Sequence, residues 1–197
     1  MNRILRRLAI AMAIAAGSVL ALAAATYGVV QYDDNLHALT PGVYYRSAQM
    51  SGSALRDTIR REHIRTVLNL RGPNAGKPWY DDEIAAARIE GAGHLDVALS
   101  ARQELSVAQM DDLVRMVRDA PKPLLVHCNG GSDRTGLVSA LYELSRGESP
   151  EQARRQLALR YGHFPYLGVK SIAMDRSLAA YVAAHPASEA TAVKPSN

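Results

Sequence analysis

The sequence predicts an α/β domain with a mainly parallel central sheet of about four to five strands flanked by helices. Two patterns carry that expectation. Short, continuous apolar runs alternate along the chain with longer segments whose apolar residues recur at three- and four-residue spacing. Hydrophobic residues make up 48% of 197 residues, enough for one core of ordinary size.

The apolar runs at 43–46, 66–70, 94–98 and 124–127 read as short buried strands. Between them, 53–63, 80–90 and 106–118 carry helical periodicity, with Leu113, Val114 and Val117 on one face of the last. Further helices are predicted over 135–146, 150–160 and 172–184, and Ser149-Pro150-Glu151 suits a helix start, with serine as cap and proline in the first turn. In an open parallel sheet ligands bind beyond the carboxyl ends of the strands. Those ends lead into four segments, 46–49, 71–79, 100–104 and 128–134, which should meet on one rim.

Ahead of this body, Arg3, Arg6 and Arg7 precede residues 8–30, a run of 23 residues without a charge. Such a run is long enough to cross a bilayer core of roughly 30 Å as a helix and exceeds the hydrophobic stretch of a signal peptide, about 7–15 residues. The expected organisation is a membrane anchor or signal segment over 1–30, one folded domain over 31–185, and a disordered tail over 186–197 rich in Ala, Ser, Thr and Pro. An uncleaved anchor is favoured over a cleaved signal, although small residues at 21–25 suit cleavage. Either reading places the domain outside the cytoplasm, because arginines stay on the cytoplasmic side. Three of the 23 basic residues lie in the first thirty positions, leaving 20 against 19 acidic ones in a nearly neutral body. Nucleic-acid binding therefore finds no support in the charge balance.

Cys128 is the sole cysteine, which excludes an internal disulfide and any metal site of several thiolates. It opens the run Cys128-Asn129-Gly130-Gly131-Ser132-Asp133-Arg134-Thr135-Gly136, preceded by His127 at the end of a buried strand and followed by a helical pattern. Glycines permit the tight turns that point successive backbone N–H groups at a tetrahedral anion. A helix starting near Arg134 adds free N–H groups and the positive end of its dipole. Arg134 can grip two phosphoryl oxygens, and the same positive surroundings favour the thiolate, the nucleophilic form of cysteine. Thr135 is placed to donate its hydroxyl to that sulfur, and His127 to orient the loop.

This stretch, His-Cys-x-x-Gly-x-Asp-Arg-Thr-Gly, resembles the signature loop of the protein tyrosine and dual-specificity phosphatase superfamily, and is most similar to its bacterial dual-specificity-like members. Tyr45-Arg46-Ser47-Ala48-Gln49, Val67-Leu68-Asn69-Leu70-Arg71 and Tyr161-Gly162-His163-Phe164 agree with that group, so the resemblance spans residues 43–181. It implies a dual-specificity phosphatase-like fold and two-step hydrolysis of phosphate monoesters, through a phosphocysteine at Cys128 with Arg134 on the phosphoryl group, and without metal or other cofactor. Asn129, Gly130, Gly131, Ser132, Asp133, Arg134 and Thr135 would form the cradle.

Family members supply a general acid, an Asp, from the loop before the signature, where this chain has residues 98–104 and no Asp. The remaining candidates are Asp133, which is favoured and could instead hold Arg134, then Glu104, then Asp96. Arg46, Arg71 and Lys77 on the rim suit a substrate with several negative charges, so phosphoinositide or inositol phosphate stands beside phosphotyrosine and other phosphoprotein. Two rivals are sulfur transfer, which the Cys-to-Arg spacing fits less well, and a binding module that holds phosphorylated ligands without turnover.

Overall fold

The computed structural model describes residues 3–32, 34–166 and 168–186. Five strands form one sheet: β1 (His37–Thr40), β2 (Tyr44–Ser47), β3 (Thr66–Asn69), β4 (Gly93–Asp96) and β5 (Leu124–His127). Their spatial order is β1-β2-β5-β3-β4, with β1 antiparallel on the edge and every other pairing parallel. The predicted four strands are all present. The added β1, His-Ala-Leu-Thr, has an exposed half and no continuous apolar run, so nothing in its composition marked it.

Helices cover both faces. Alternation along the strands divides the core: Leu124 and Val126 join Met110, Leu113, Leu137, Leu141, Met174 and Leu178 on one face, while Leu125 joins Tyr45, Leu55, Ile59 and Val67 on the other. The first face packs α4 (Val107–Asp119), α5 (Asp133–Ser145) and α7 (Ile172–Ala184), the second α2 (Gly52–Glu62) and α3 (Pro78–Ile89). Each such fully buried aliphatic side chain contributes about 1.5–3 kcal/mol.

Ser51 caps α2 by accepting from the Ala54 N–H at 3.2 Å, and Ser106 with Gln109 forms a reciprocal cap on α4. Ser149 and Gln152 do the same for α6 (Pro150–Arg154), as the Ser-Pro-Glu start predicts. The predicted continuous helix over 150–160 is broken after α6, and a 3-10 turn, Leu159–Tyr161, follows. The break coincides with Gln156, whose carbonyl and side-chain oxygens both turn to Arg46.

Residues Arg3–Tyr32 form α1, continuous over the expected anchor. Among the described residues, no helix is long and apolar enough to cross a membrane, so the bilayer-spanning expectation gains no support there. The expected disordered tail lies outside the described residues, apart from Pro186.

Candidate active site

β5 occupies the middle of the sheet and delivers His127 and Cys128 to its carboxyl edge, where Cys128 is 2% exposed. The chain then turns through residues 129–132 into α5, whose first residue is Asp133. Gly131 makes the turn at φ +68°, and a Cβ there would lie 2.6 Å from Ala48 N and from Ser47 C and O. Glycine is thus required twice, by the left-handed backbone and by the approach of the exit of β2.

Neighbouring segments brace the loop. Asn35 Nδ2 donates to Gly130 O at 2.9 Å and to Tyr161 O at 3.0 Å, and Gln49 N donates to Asn129 O at 3.1 Å. Arg46, expected near the rim either to contact substrate or to support the core, is fully buried beneath the loop and takes the supporting place. Its Nη2 donates to Gly131 O at 2.7 Å, its Nη1 to Gln156 O and Oε1 at 3.0 and 2.7 Å, and its guanidinium stacks 3.7 Å over Tyr161. Burial pulls its pKa down to about 10. All four residues of β2 are buried, because the strand lies inside the sheet between β1 and β5, so residue 46 has no solvent-facing side to turn to.

The four rim segments do converge. Arg134 Nη1 donates to Leu70 O and Leu99 O, both at 3.3 Å, tying the signature loop to the exits of β3 and β4. Its Nε is buried without a hydrogen-bond partner among the described residues, as are Thr135 Oγ1 and Ser47 Oγ. The Thr135 hydroxyl, expected to face the cysteine sulfur, is thus uncommitted among the described residues. Buried polar atoms are nearly always paired in folded proteins, so such a group of donors marks a place built to receive an acceptor.

Arg71 stacks 3.5 Å over Trp79 and donates through Nη1 to Gln49 Oε1 at 2.9 Å. Burial and then the charge of Arg134 push its pKa down, which places it in the electrostatic neighbourhood of the loop. Lys77 is exposed at the start of α3.

Sequence reasoning missed the layer beneath the cysteine. Glu83, on α3 and 1% exposed, meets His94 Nε2 at 2.7 Å and His127 Nε2 at 3.2 Å and accepts from Gln49 Nε2 at 2.5 Å. Burial alone would raise its pKa, but the hydrogen bonds from His127, His94 and Gln49 bring it down to about 2. His127 is thus tied to α3 through Glu83, while its Nδ1 is buried without a partner among the described residues. In sequence Glu83 is one acid among several on an amphipathic helix, and nothing local sets it apart.

The three candidate proton donors have separate surroundings. Asp133 Oδ1 lies 2.6 Å from His163 Nδ1. Asp96, at the end of β4, accepts from Asn69 Nδ2 at 2.8 Å and from the Tyr80 hydroxyl at 2.5 Å. Glu104 is exposed and pairs with Arg176 at 3.3 Å.

A cysteine and an arginine closing one loop between a central parallel strand and a helix define a cysteine-dependent phosphatase of the tyrosine phosphatase type. The comparison with families agrees. Residues 37–191 match the model of the PTP-SAK family, described as Swiss Army Knife protein, DSP-PTPase phosphatase domain, and the chain belongs to that family. Among solved structures, TpbA from P. aeruginosa in complex with pTyr is 21% identical, with a TM-score of 0.56 over 76% of this chain and 83% of that one. The core catalytic domain of a PP-IP phosphatase from S. cerevisiae, in complex with citrate, is 18% identical, with a TM-score of 0.58 over 72% and 83%. Tk-PTP in its active form is 22% identical, with a TM-score of 0.51 over 70% and 91%. At these identities the likeness is one of fold.

Proposed function

We propose that the enzyme hydrolyses phosphate monoesters through a phosphocysteine at Cys128. The observation that carries this reading is the pairing, across one glycine-turned loop, of Cys128 with an Arg134 whose buried Nε has no partner among the described residues. A phosphoryl group seated on the backbone N–H groups of 129–135 would take up Arg134 Nε and Thr135 Oγ1. The thiolate attacks phosphorus, the P–O bond to the leaving group breaks, and water then cleaves the S–P bond, releasing phosphate and restoring the thiolate.

For the leaving oxygen, Asp133, Asp96 and Glu104 each face a donor or a cation, His163, Tyr80 with Asn69, and Arg176. Asp133, held against the buried His163, is assigned a positioning role. With no Asp in residues 98–104 to protonate the leaving oxygen, substrates whose leaving group departs as a stable anion are favoured, phosphotyrosine above serine or inositol monoesters. Arg71, stacked on Trp79 and within the electrostatic reach of Arg134, suits a substrate with further negative charge, as on an acidic phosphopeptide or a phosphoinositide.

The N-terminal helix is proposed as a membrane tether, with the domain on the extracytoplasmic side. Three arginines before residues 8–30 and the exposure of Leu8, Ile10, Met12 and Ile14 support it. Retention of the chain in alkali-washed membranes tests that part.

The test of the activity is phosphate release from p-nitrophenyl phosphate, phosphotyrosine peptides and phosphoinositides by the reduced full chain, beside Cys128→Ser. Metal-independent turnover that the substitution abolishes, with a phosphoryl group trapped on the wild type by acid quench, is the expected result. Binding of phosphorylated ligands by folded protein without any release would replace the enzyme reading with the binding-module one.

A further inference from the structure

An acidic residue inside a phosphate cradle presents an electrostatic problem. Asp133 directly precedes Arg134, at the helix terminus that receives the anion, and its carboxylate there opposes both a thiolate and a phosphate dianion. Its partner is His163 of the Tyr-Gly-His-Phe stretch, whose side chain is wholly buried. Nδ1 lies 2.6 Å from Asp133 Oδ1 and Nε2 lies 2.9 Å from Asp175 Oδ2, on the first turn of α7.

A neutral imidazole has one N–H and one acceptor nitrogen, whereas here each ring nitrogen faces a carboxylate oxygen, an arrangement that calls for two donors. The doubly protonated ring alone satisfies both contacts. We propose that His163 is a positioning residue of the phosphate loop: as an imidazolium clamped between Asp133 and Asp175, it fixes Asp133 at the start of α5 and cancels the charge that would otherwise repel the substrate.

This rests on the phosphate-cradle reading of the loop and adds to it a counter-charge that the signature does not contain. The charged groups facing the ring are Asp133 from α5 and Asp175 from α7. Burial by itself would lower the histidine's pKa, but the hydrogen bonds and charges of the two carboxylates raise it above the ordinary 6.5. Asp133 and Asp175 remain about a quarter and a third exposed, so each also reaches solvent while the cation between them does not. The clamp joins three elements that the sequence keeps apart: α5, the segment after the 3-10 turn, and α7.

The sign follows directly. The cationic ring is fully present below pH 6.5 and is lost as pH rises through its raised pKa, so kcat/KM should decline on the alkaline side with that midpoint. Asp175→Asn tests this without touching the loop, at a partly exposed position. Nitrogen-15 spectra of the histidine rings in the full chain should show both His163 nitrogens protonated at pH 7. The Asp175→Asn variant should lower the titration midpoint by about one unit, and the alkaline limb of p-nitrophenyl phosphate turnover should move with it.

In addition, His163→Gln should reduce kcat/KM roughly tenfold in the natural background and less than about twofold in Asp133→Asn, where there is no charge to cancel. A ring that is neutral at pH 7 would overturn the proposal. So would an alkaline limb unmoved by Asp175→Asn, or an equal cost of His163→Gln in both backgrounds. The spectra decide the protonation state even if the chain releases no phosphate, which separates failure of this inference from failure of the phosphatase reading.

Discussion

Replacing Gly131 by alanine tests whether the loop's shape is set by its contact with the exit of β2. Two costs can be separated. The first is conformational: φ is +68°, and a non-glycine residue in that region loses roughly 1–2 kcal/mol. The second is steric, since the new Cβ would sit 2.6 Å from three backbone atoms of Ser47 and Ala48, none of which can rotate away. Overpacking of that kind costs about 1–3 kcal/mol. Together they predict a loss of about 2–5 kcal/mol, or a fall in Tm of roughly 5–15 °C for a domain of this size.

The backbone must open by somewhat under 1 Å to reach ordinary contact, and a misplacement of about 1 Å in a reacting geometry costs on the order of a hundredfold in rate. Gly147→Ala is the control. Its φ is +87° and its Cβ would meet nothing within 4 Å, so it should show the conformational cost alone and full activity. Thermal denaturation and steady-state turnover of p-nitrophenyl phosphate measure both effects. If Gly131→Ala lost no more stability than Gly147→Ala and kept its kcat/KM within about threefold, the claim that β2 shapes the cradle would be wrong.

Two other perturbations probe the layers beneath the loop. The pKa of Glu83 is lowered from 4.5 to about 2, so its contribution is complete above pH 4.5 and disappears as pH falls through 2. That contribution is about 3 kcal/mol, and Glu83→Gln should flatten the dependence of Tm on pH across this window while lowering Tm at pH 7. Arg46→Lys keeps the charge but not the planar fork that spans Gly131 O, Gln156 and the face of Tyr161. A loss of about 2–4 kcal/mol in urea unfolding and a higher KM for p-nitrophenyl phosphate are expected. An Arg46→Lys variant with unchanged urea midpoint and KM would show that the fork does not support the loop.

The loop from Cys128 to Arg134 was legible in the sequence because it is local. Cys128, the turn, Arg134 and the first residues of α5 are contiguous, and their chemistry follows from residue type and spacing. The parallel sheet was equally legible, since strands buried on both faces read as unbroken apolar runs. The edge strand β1 was not, because an exposed edge has no apolar signature, and neither was the interruption at Gln156.

What the tertiary structure alone decided is the support of the loop and the charge balance around it. Arg46 reaches Gln156, 110 positions away, and Glu83 reaches His127, 44 positions away. His163 lies 30 positions from Asp133, the carboxylate whose charge it balances. Residue type placed Arg46 on a rim and Asp133 among the proton donors. Packing put the arginine under the loop and a buried imidazole against the carboxylate. Sequence specifies which groups can react, because reactivity belongs to the residue and its immediate neighbours. Which groups are buried, paired or aimed at one another depends on how distant elements meet, and here that is set by the docking of α3, α7 and the exit of β2 around one loop.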